Sequence, residues 1–172
     1  SMFVLGIDIA KRTLAVARLR PDGKWRSKTV ANTSGGHHDL LATNLLGRAM
    51  HDDLYIGVEG TPNFGRFIFL DERSHDFFPD WDTAADINVA ILRTSAGRDP
   101  HDRPLHDLVG ELSTRSAEFV RRWSSHNVRI HGTGTKRFHH QVVGDLTLAF
   151  ETMALNAEPG LAMTIYAAEP AS

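Results

Sequence analysis

The amino-acid sequence contains no cysteine among its 172 residues. Disulfide bonds and thiolate chemistry are therefore excluded, and thiols give no indication of the redox compartment. The sequence also lacks an apolar run of about 18 residues, the length that a membrane-spanning helix requires, and its N-terminus has no signal-peptide pattern. We therefore expect a soluble, cytoplasmic protein that does not contact a membrane.

An excess of charge of one sign is also missing. The formal net charge is −2 and the isoelectric point is about 6.5, so the composition provides no overall basic surface for nucleic acid. The sequence contains none of the motifs of phosphate-binding loops, serine hydrolases, zinc proteases or dinucleotide-binding folds. We therefore expect that the protein is not an enzyme and uses no cofactor.

The sequence does contain enough apolar residues for one core, since 41% of its residues are hydrophobic. Apolar residues recur at helical spacing from Leu105 to Trp123 and predict one long amphipathic helix. Alternating apolar positions separated by glycine-containing turns follow, and they predict an antiparallel meander under that helix. A bulge is expected near Thr152, where the apolar positions change face. These patterns indicate an α+β fold.

The first part of the sequence predicts only strands and turns. The expected strands are Phe3–Ile9, Thr13–Leu19 and Lys24–Ala31, and Pro21-Asp22-Gly23 is typical of a tight turn. The stretch Asn32–Gly36 has the composition of a linker. We therefore predict an N-terminal β segment with a hairpin over residues 1–36 and a second domain over residues 37–172.

Six aromatic residues lie close together between Phe64 and Trp81. One helical stripe cannot bury all of them, so some are expected to face a cavity or a partner, although aromatic residues most often form plain core. The basic stretch Lys136–His140 would suit an anchor for a ligand carboxylate, because lysine and arginine form charge-assisted hydrogen bonds. The alternative for this stretch is the solvated face of an edge strand.

Several segments together resemble a known family. They are DLLATNLLGRAM, GRFIFLDERSHDFFPDWDTAAD, LRTSAGRDPHDRPLHDLVGELSTRSAEF, RRWSSHNVRIHGTGTKRFHHQVVGDLTL and IYAAEP. Residues 37–172 resemble the ligand-binding domain of MmyB-like transcription regulators. The resemblance implies a PAS-like antiparallel sheet with helices packed on one face, and a small apolar, fatty-acid-like ligand.

The same resemblance also implies partners and a site. Members of the family carry an Xre-type helix-turn-helix, which residues 1–36 do not resemble, so we expect DNA binding only through a domain absent from this chain. A homodimer is expected to carry the effect of the ligand. The expected ligand-binding residues are Asn44, Phe64, Arg66, Phe67, Phe77, Trp81, Trp123, Lys136 and His140.

A second resemblance concerns the N-terminus. The stretch GIDIAKRTLAVARL and the later VEGT are similar to the nuclease core of DEDD-type insertion-sequence transposases. The resemblance implies an alternative function, an Mg²⁺-dependent nuclease with four metal-binding carboxylates: Asp8, Glu59, Asp99 and Asp102. The last two also fit plain turn residues before a helix.

The sequence contains ten histidines, which raises the question of a metal site. The best arrangement would bring His131 near His139 or His140 across a Gly-Thr-Gly turn. Because no cysteine and no second pair of ligands at a recognised spacing support this arrangement, we expect no metal.

Overall fold

The computed structural model describes residues 4–10, 13–19, 25–31, 38–125, 133–156 and 161–168, and only the backbone of the first three ranges. Six helices and six strands lie in these ranges. The helices are α1 (Leu45–Met50), α2 (Phe64–Leu70), α3 (Arg73–Phe77), α4 (Trp81–Arg98), α5 (Arg103–Arg115) and α6 (Ala117–Ser124), and a 3₁₀ helix spans Asp52–Tyr55. The strands are β1 (Val4–Ala10), β2 (Thr13–Leu19), β3 (Trp25–Ala31), β4 (Thr133–His140), β5 (Gly144–Ala154) and β6 (Ala162–Ala168). The predicted α+β class is confirmed.

Four strands form the main sheet, in the order β1-β6-β5-β4, and every neighbouring pair is antiparallel. The predicted N-terminal hairpin corresponds to β2 and β3, which form a separate two-stranded sheet. Strand β1 belongs to the main sheet, with Asp8 opposite Thr164 of β6. The division of the chain at residue 36 stays a prediction.

The predicted long helix from Leu105 to Trp123 is wrong, because the chain breaks at Ser116. The backbone N–H of Ser116 donates to the carbonyl of Leu112, 2.9 Å away, and closes α5. The Ser116 hydroxyl then accepts a hydrogen bond from the backbone N–H of Phe119 (3.1 Å) and caps α6. The buried residues of α5 and those of α6 follow one another at helical spacing in the sequence, so the apolar pattern does not reveal the break.

The predicted bulge near Thr152 is also wrong. Strands β5 and β6 pair without a shift of register, from Leu148 opposite Ala168 to Ala154 opposite Ala162. Both faces of β5 carry partly buried apolar residues, and this explains the change of face without any irregularity. The strand expected around Val128–His131 lies outside the described residues.

The core is one connected cluster with two chemically different sides. Between α2, α4 and α5 it is aliphatic, with Leu92, Leu105 and Leu112 fully buried. Against the sheet it is aromatic, with Phe138 and Tyr166 buried on β4 and β6. The helices with the main contacts to the sheet are α1, on β1, and α3, on β4. No helix in the described part of the chain has the length and apolar character needed to cross a membrane.

Candidate functional site

A buried histidine stands at the centre of the aromatic side of the core. His51 ends α1 and is completely buried. Its ring centroid lies 5.4 Å from that of Phe64, 6.1 Å from Phe77, 6.2 Å from Phe138 and 5.8 Å from Tyr166. We call these five residues the aromatic cage. It brings together α1, α2, α3 and two strands of the sheet around one polar ring.

The surroundings of His51 keep its imidazole neutral. Nδ1 lies 3.1 Å from the carbonyl oxygen of Gly47, which suits a donating Nδ1–H. Burial lowers the pKa of His51 from 6.5 to about 4; the Gly47 hydrogen bond opposes this shift and the charge of Lys136 adds to it. At neutral pH the aromatic cage therefore contains an uncharged polar group.

Lys136 places a cation beside the cage. It stands two residues before Phe138 on β4, and therefore on the same face of the sheet. Its Nζ lies 4.3 Å from the ring centroid of Phe150 and 5.7 Å from that of Tyr166. The side chain is half-buried, with its charge over two aromatic faces.

Four of the predicted ligand-binding residues are found at or beside this region. Phe64 and Phe77 belong to the cage, whereas Lys136 and His140 stand on β4. The Nε2 atom of His140 lies 3.0 Å from the carbonyl oxygen of Ala49, so His140 attaches the end of β4 to α1. The sequence analysis did not find His51, Phe138 or Tyr166.

Three further predicted residues have other surroundings. Asn44 caps α1 by accepting a hydrogen bond from the backbone N–H of Gly47, 2.7 Å away. Arg66 is exposed, and its Nε donates to Glu111 at 2.8 Å. Phe67 is buried in the core, where its ring contacts Phe77.

The two predicted tryptophans have their contacts among the helices. Trp81 stacks on His75, with ring centroids 4.2 Å apart, and its Nε1–H donates to Ser74 at 3.0 Å. Trp123 stacks on Phe119 at 5.4 Å. Both residues support the packing of α4 and α6.

A buried guanidinium joins α6 to α4. Arg122 is only 8% exposed and donates hydrogen bonds to Asp82, Asp86 and Glu118. Its guanidinium also lies 5.2 Å from the centroid of the Trp81 ring. We call these five residues the arginine joint. Hydrogen bonds from Arg121 and then Arg122 lower the pKa of Glu118 to about 2, with partial burial opposing the shift.

A surface cleft of about 740 Å³ lies between α3 and the β4–β5 hairpin. Phe77 and Phe138 line its bottom, and each is only 1% exposed. Its walls carry charged and polar residues of both signs, among them Asp53, Arg73, Asp76, Arg137, Gln141 and Asp145. The cleft therefore has an apolar floor and a polar rim, and that floor belongs to the aromatic cage.

The carboxylates of the nuclease alternative have local roles where they are described. The Asp99 carboxylate accepts a hydrogen bond from the backbone N–H two residues further on, and Asp102 caps α5 by accepting from the N–H three residues further on. Glu59 is exposed in a loop. The side chain of Asp8 lies outside the described part of the chain, so the four-carboxylate hypothesis stays a prediction.

Metal ligands are not grouped among the residues whose side chains are described: no three His, Cys, Asp or Glu residues there could hold one ion. His139 pairs with Asp145, with Nδ1 and the carboxylate oxygen 2.5 Å apart. His140 bonds α1, and His131 falls outside the described residues.

No curated protein sequence matches the chain. A family model described as the MmyB-like transcription regulator ligand binding domain matches residues 28–172, most of the chain, including the whole aromatic cage. The chain belongs to the family of MmyB-like transcription regulator ligand binding domains.

Proposed function

We propose that this domain senses a small, largely apolar molecule of the fatty-acid type, which it binds at the aromatic cage. Membership of a family of regulator ligand-binding domains supports a small-molecule ligand. The fatty-acid class is what the resemblance to the family implies, and the chemistry of the cage supports it. Its four aromatic rings would exclude water from an acyl chain, and such burial contributes about 0.8 kcal/mol per methylene group.

Lys136 is the observation that carries the proposal. Its ammonium lies over two rings at the edge of an apolar region, where a carboxylate would form a charge-assisted hydrogen bond with it. An amphiphile with an apolar chain and an anionic head matches this arrangement.

The signal would be a population shift. A ligand that contacts α1, α2, α3 and the sheet would favour the arrangement of these elements that binds it best. We propose that a homodimer carries this change to a DNA-binding domain outside this chain. We also propose that the role is not catalytic, because the Asp99 and Asp102 carboxylates both accept hydrogen bonds from nearby backbone N–H groups, as turn and cap residues do.

The direct test is binding of cis-parinaric acid, a fluorescent fatty acid, and of its methyl ester to delipidated protein. We expect Lys136→Ala to weaken binding of the acid by about tenfold or more, since a hydrogen bond to a charged group contributes roughly 1.5–3 kcal/mol. Binding of the ester should change little, because the ester has no charge.

Arg115→Ala is the matched control, because Arg115 is also a cation but is exposed and paired with Glu111. We expect it to leave both affinities unchanged. Equal losses of acid and ester binding in Lys136→Ala would contradict the anchor. Absence of binding to the unmodified protein, together with no acyl chain in denaturing extracts of freshly purified protein, would contradict the proposed function.

A further inference from the structure

We propose that the surface cleft above Phe77 and Phe138 is the portal through which a ligand reaches the aromatic cage, and that the β4–β5 hairpin moves to open it. The inference rests on the proposed function, because a portal has meaning only if the cage receives a ligand. It adds a route and a moving element to that function.

The wall between the cleft and the cage is one layer of side chains thick. Phe77 and Phe138 line the cleft on one side and contact His51 on the other. Their ring centroids are 5.5 Å apart, and at 1% exposure each ring closes the floor of the cleft. Separation of these two rings would connect the cleft with the cage.

The opposite side of the cage has no comparably thin wall. There, Phe67 packs against Phe77, and the aliphatic core of α4 and α5 lies behind α2. Leu92 and Leu112 in that core are completely buried. A ligand arriving from the helical side would have to separate helices that are packed around these leucines.

The hairpin is suited to movement because β4 lies at the edge of the main sheet among the strands that the structure describes. Three polar contacts join the hairpin to the helices: Arg137 Nε with Asp80 at 2.7 Å, Gln141 Nε2 with Asp53 at 2.8 Å and His140 Nε2 with the Ala49 carbonyl at 3.0 Å. All three originate from residues 137–141, next to the turn between β4 and β5. These polar contacts therefore hold the hairpin against the helices near its turn, beside the cleft.

The outermost of these contacts is weak enough to open. The side chains of Arg137 and Asp80 are 57% and 46% exposed, so water competes for both groups. Local openings that break a few exposed polar contacts cost much less than global unfolding. The hairpin can thus separate from α3 and α4 while the aliphatic core stays intact.

A cross-link between Asp80 and Arg137 tests the portal. The chain contains no cysteine, so the double variant Asp80→Cys/Arg137→Cys can be joined specifically with a short bis-maleimide. The variant is loaded with cis-parinaric acid, and release of the probe is followed by stopped-flow fluorescence before and after linking. We expect linking to slow release by tenfold or more, and the unlinked variant to release the probe faster than the unmodified protein.

The matched control is Glu111→Cys/Arg115→Cys, which places the same link across an exposed ion pair within α5. Linking there should leave release unchanged. A second variant, Gln141→Ala, should raise the association and dissociation rates together and leave the dissociation constant within about twofold. The reason is that loss of the contact with Asp53 weakens the closed hairpin equally in the free and in the bound protein, so that the open state is reached more easily from both.

The outcomes separate the two proposals. If the unmodified protein binds the probe and linking at positions 80 and 137 leaves the release rate unchanged, the portal is overturned and the proposed function stands. If the unmodified protein binds no probe, both are overturned. If release is slower after linking at positions 80 and 137 but not after linking at positions 111 and 115, the portal is supported.

Discussion

The two sides of the core hold their elements together in different ways. On the helical side, aliphatic residues fill the space between α4 and α5, and Phe119 of α6 packs against Phe69 and Trp123. The arginine joint closes the edge of this side with a guanidinium that is 8% exposed. On the sheet side, aromatic rings surround a neutral histidine, and two of the polar contacts between the β4–β5 hairpin and the helices, those of Arg137 and His140, are exposed. We therefore expect the helical side to be the more rigid part and the sheet side to be the part that adapts to the proposed ligand.

Truncation of one phenylalanine on each side should reveal this difference most strongly. Phe119 is completely buried between helices, so Phe119→Ala should lower the free energy of unfolding by about 3–5 kcal/mol. Phe64 is only partly buried, and Phe64→Ala should cost roughly half as much. Urea denaturation measures both values, and Val120→Ala, at an exposed position of α6, serves as the control. Equal losses of free energy of unfolding in Phe119→Ala and Phe64→Ala would contradict the proposed difference between the two sides of the core.

Acid should weaken the sheet side through His51. Its pKa is about 4 in the folded protein and 6.5 when unfolded, so the unfolded chain binds the extra proton between these values. The free energy of unfolding should therefore fall as the pH falls from 6.5 to 4, by up to about 3 kcal/mol. Denaturation at a series of pH values should show a shallower slope in His51→Gln.

Removal of the arginine joint should have a moderate effect. Arg122→Met keeps most of the apolar side chain but removes the bonds to three carboxylates and the contact with Trp81. We expect a loss of about 1–2 kcal/mol, because two of those carboxylates are more than half exposed and water can solvate them. Arg121→Met, at an exposed neighbour, should change the thermal midpoint much less. An equal shift in both variants would show that general charge, and not the joint, is responsible.

Two glycines provide the smallest and most closely matched test. A Cβ at Gly65 would lie 3.1 Å from the Asn63 side chain and 3.4 Å from Leu112, whereas a Cβ at Gly110 would meet nothing within 4 Å. Gly110→Ala should stabilise α5 by up to about 1 kcal/mol. In Gly65→Ala, the steric contacts of the new Cβ should outweigh the gain in helix propensity and destabilise the protein by about 1 kcal/mol through overpacking. Thermal denaturation of both variants decides the sign.

The sequence predicted the element types well where local chemistry determines them. Strands β2 and β3 and the start of α4 after Asp80 follow from alternation and turn residues. The break at Ser116 could not be read from periodicity, because α5 and α6 bury residues that continue one stripe. A serine within a helical pattern is compatible with both a helix interior and a cap, and only the tertiary packing decides between them.

The candidate site was predicted less completely, for a similar reason. The aromatic stretch 64–81 predicted several pocket residues, but the structure distributes them over three places. Phe64 and Phe77 lie in the cage, Phe67 in the core, and Trp81 among the helices. His51 gave no signal, because one histidine after a short helix resembles any polar turn residue. Tyr166 was missed because the alternation of residues in β6 places Met163 and Ile165 on the more apolar face. In the structure Tyr166, on the other face, is the residue that is buried.

The pairing of β1 with β6 has a consequence for the folding pathway. These strands come from opposite ends of the sequence, so their hydrogen bonds close a loop that includes almost the whole chain. Pairs that are so distant in sequence form slowly, because the entropy of loop closure must be overcome first. During synthesis, β1 cannot pair with β6 until β6 has left the ribosome. We therefore expect the pairing of β1 with β6 to be among the slow steps of folding.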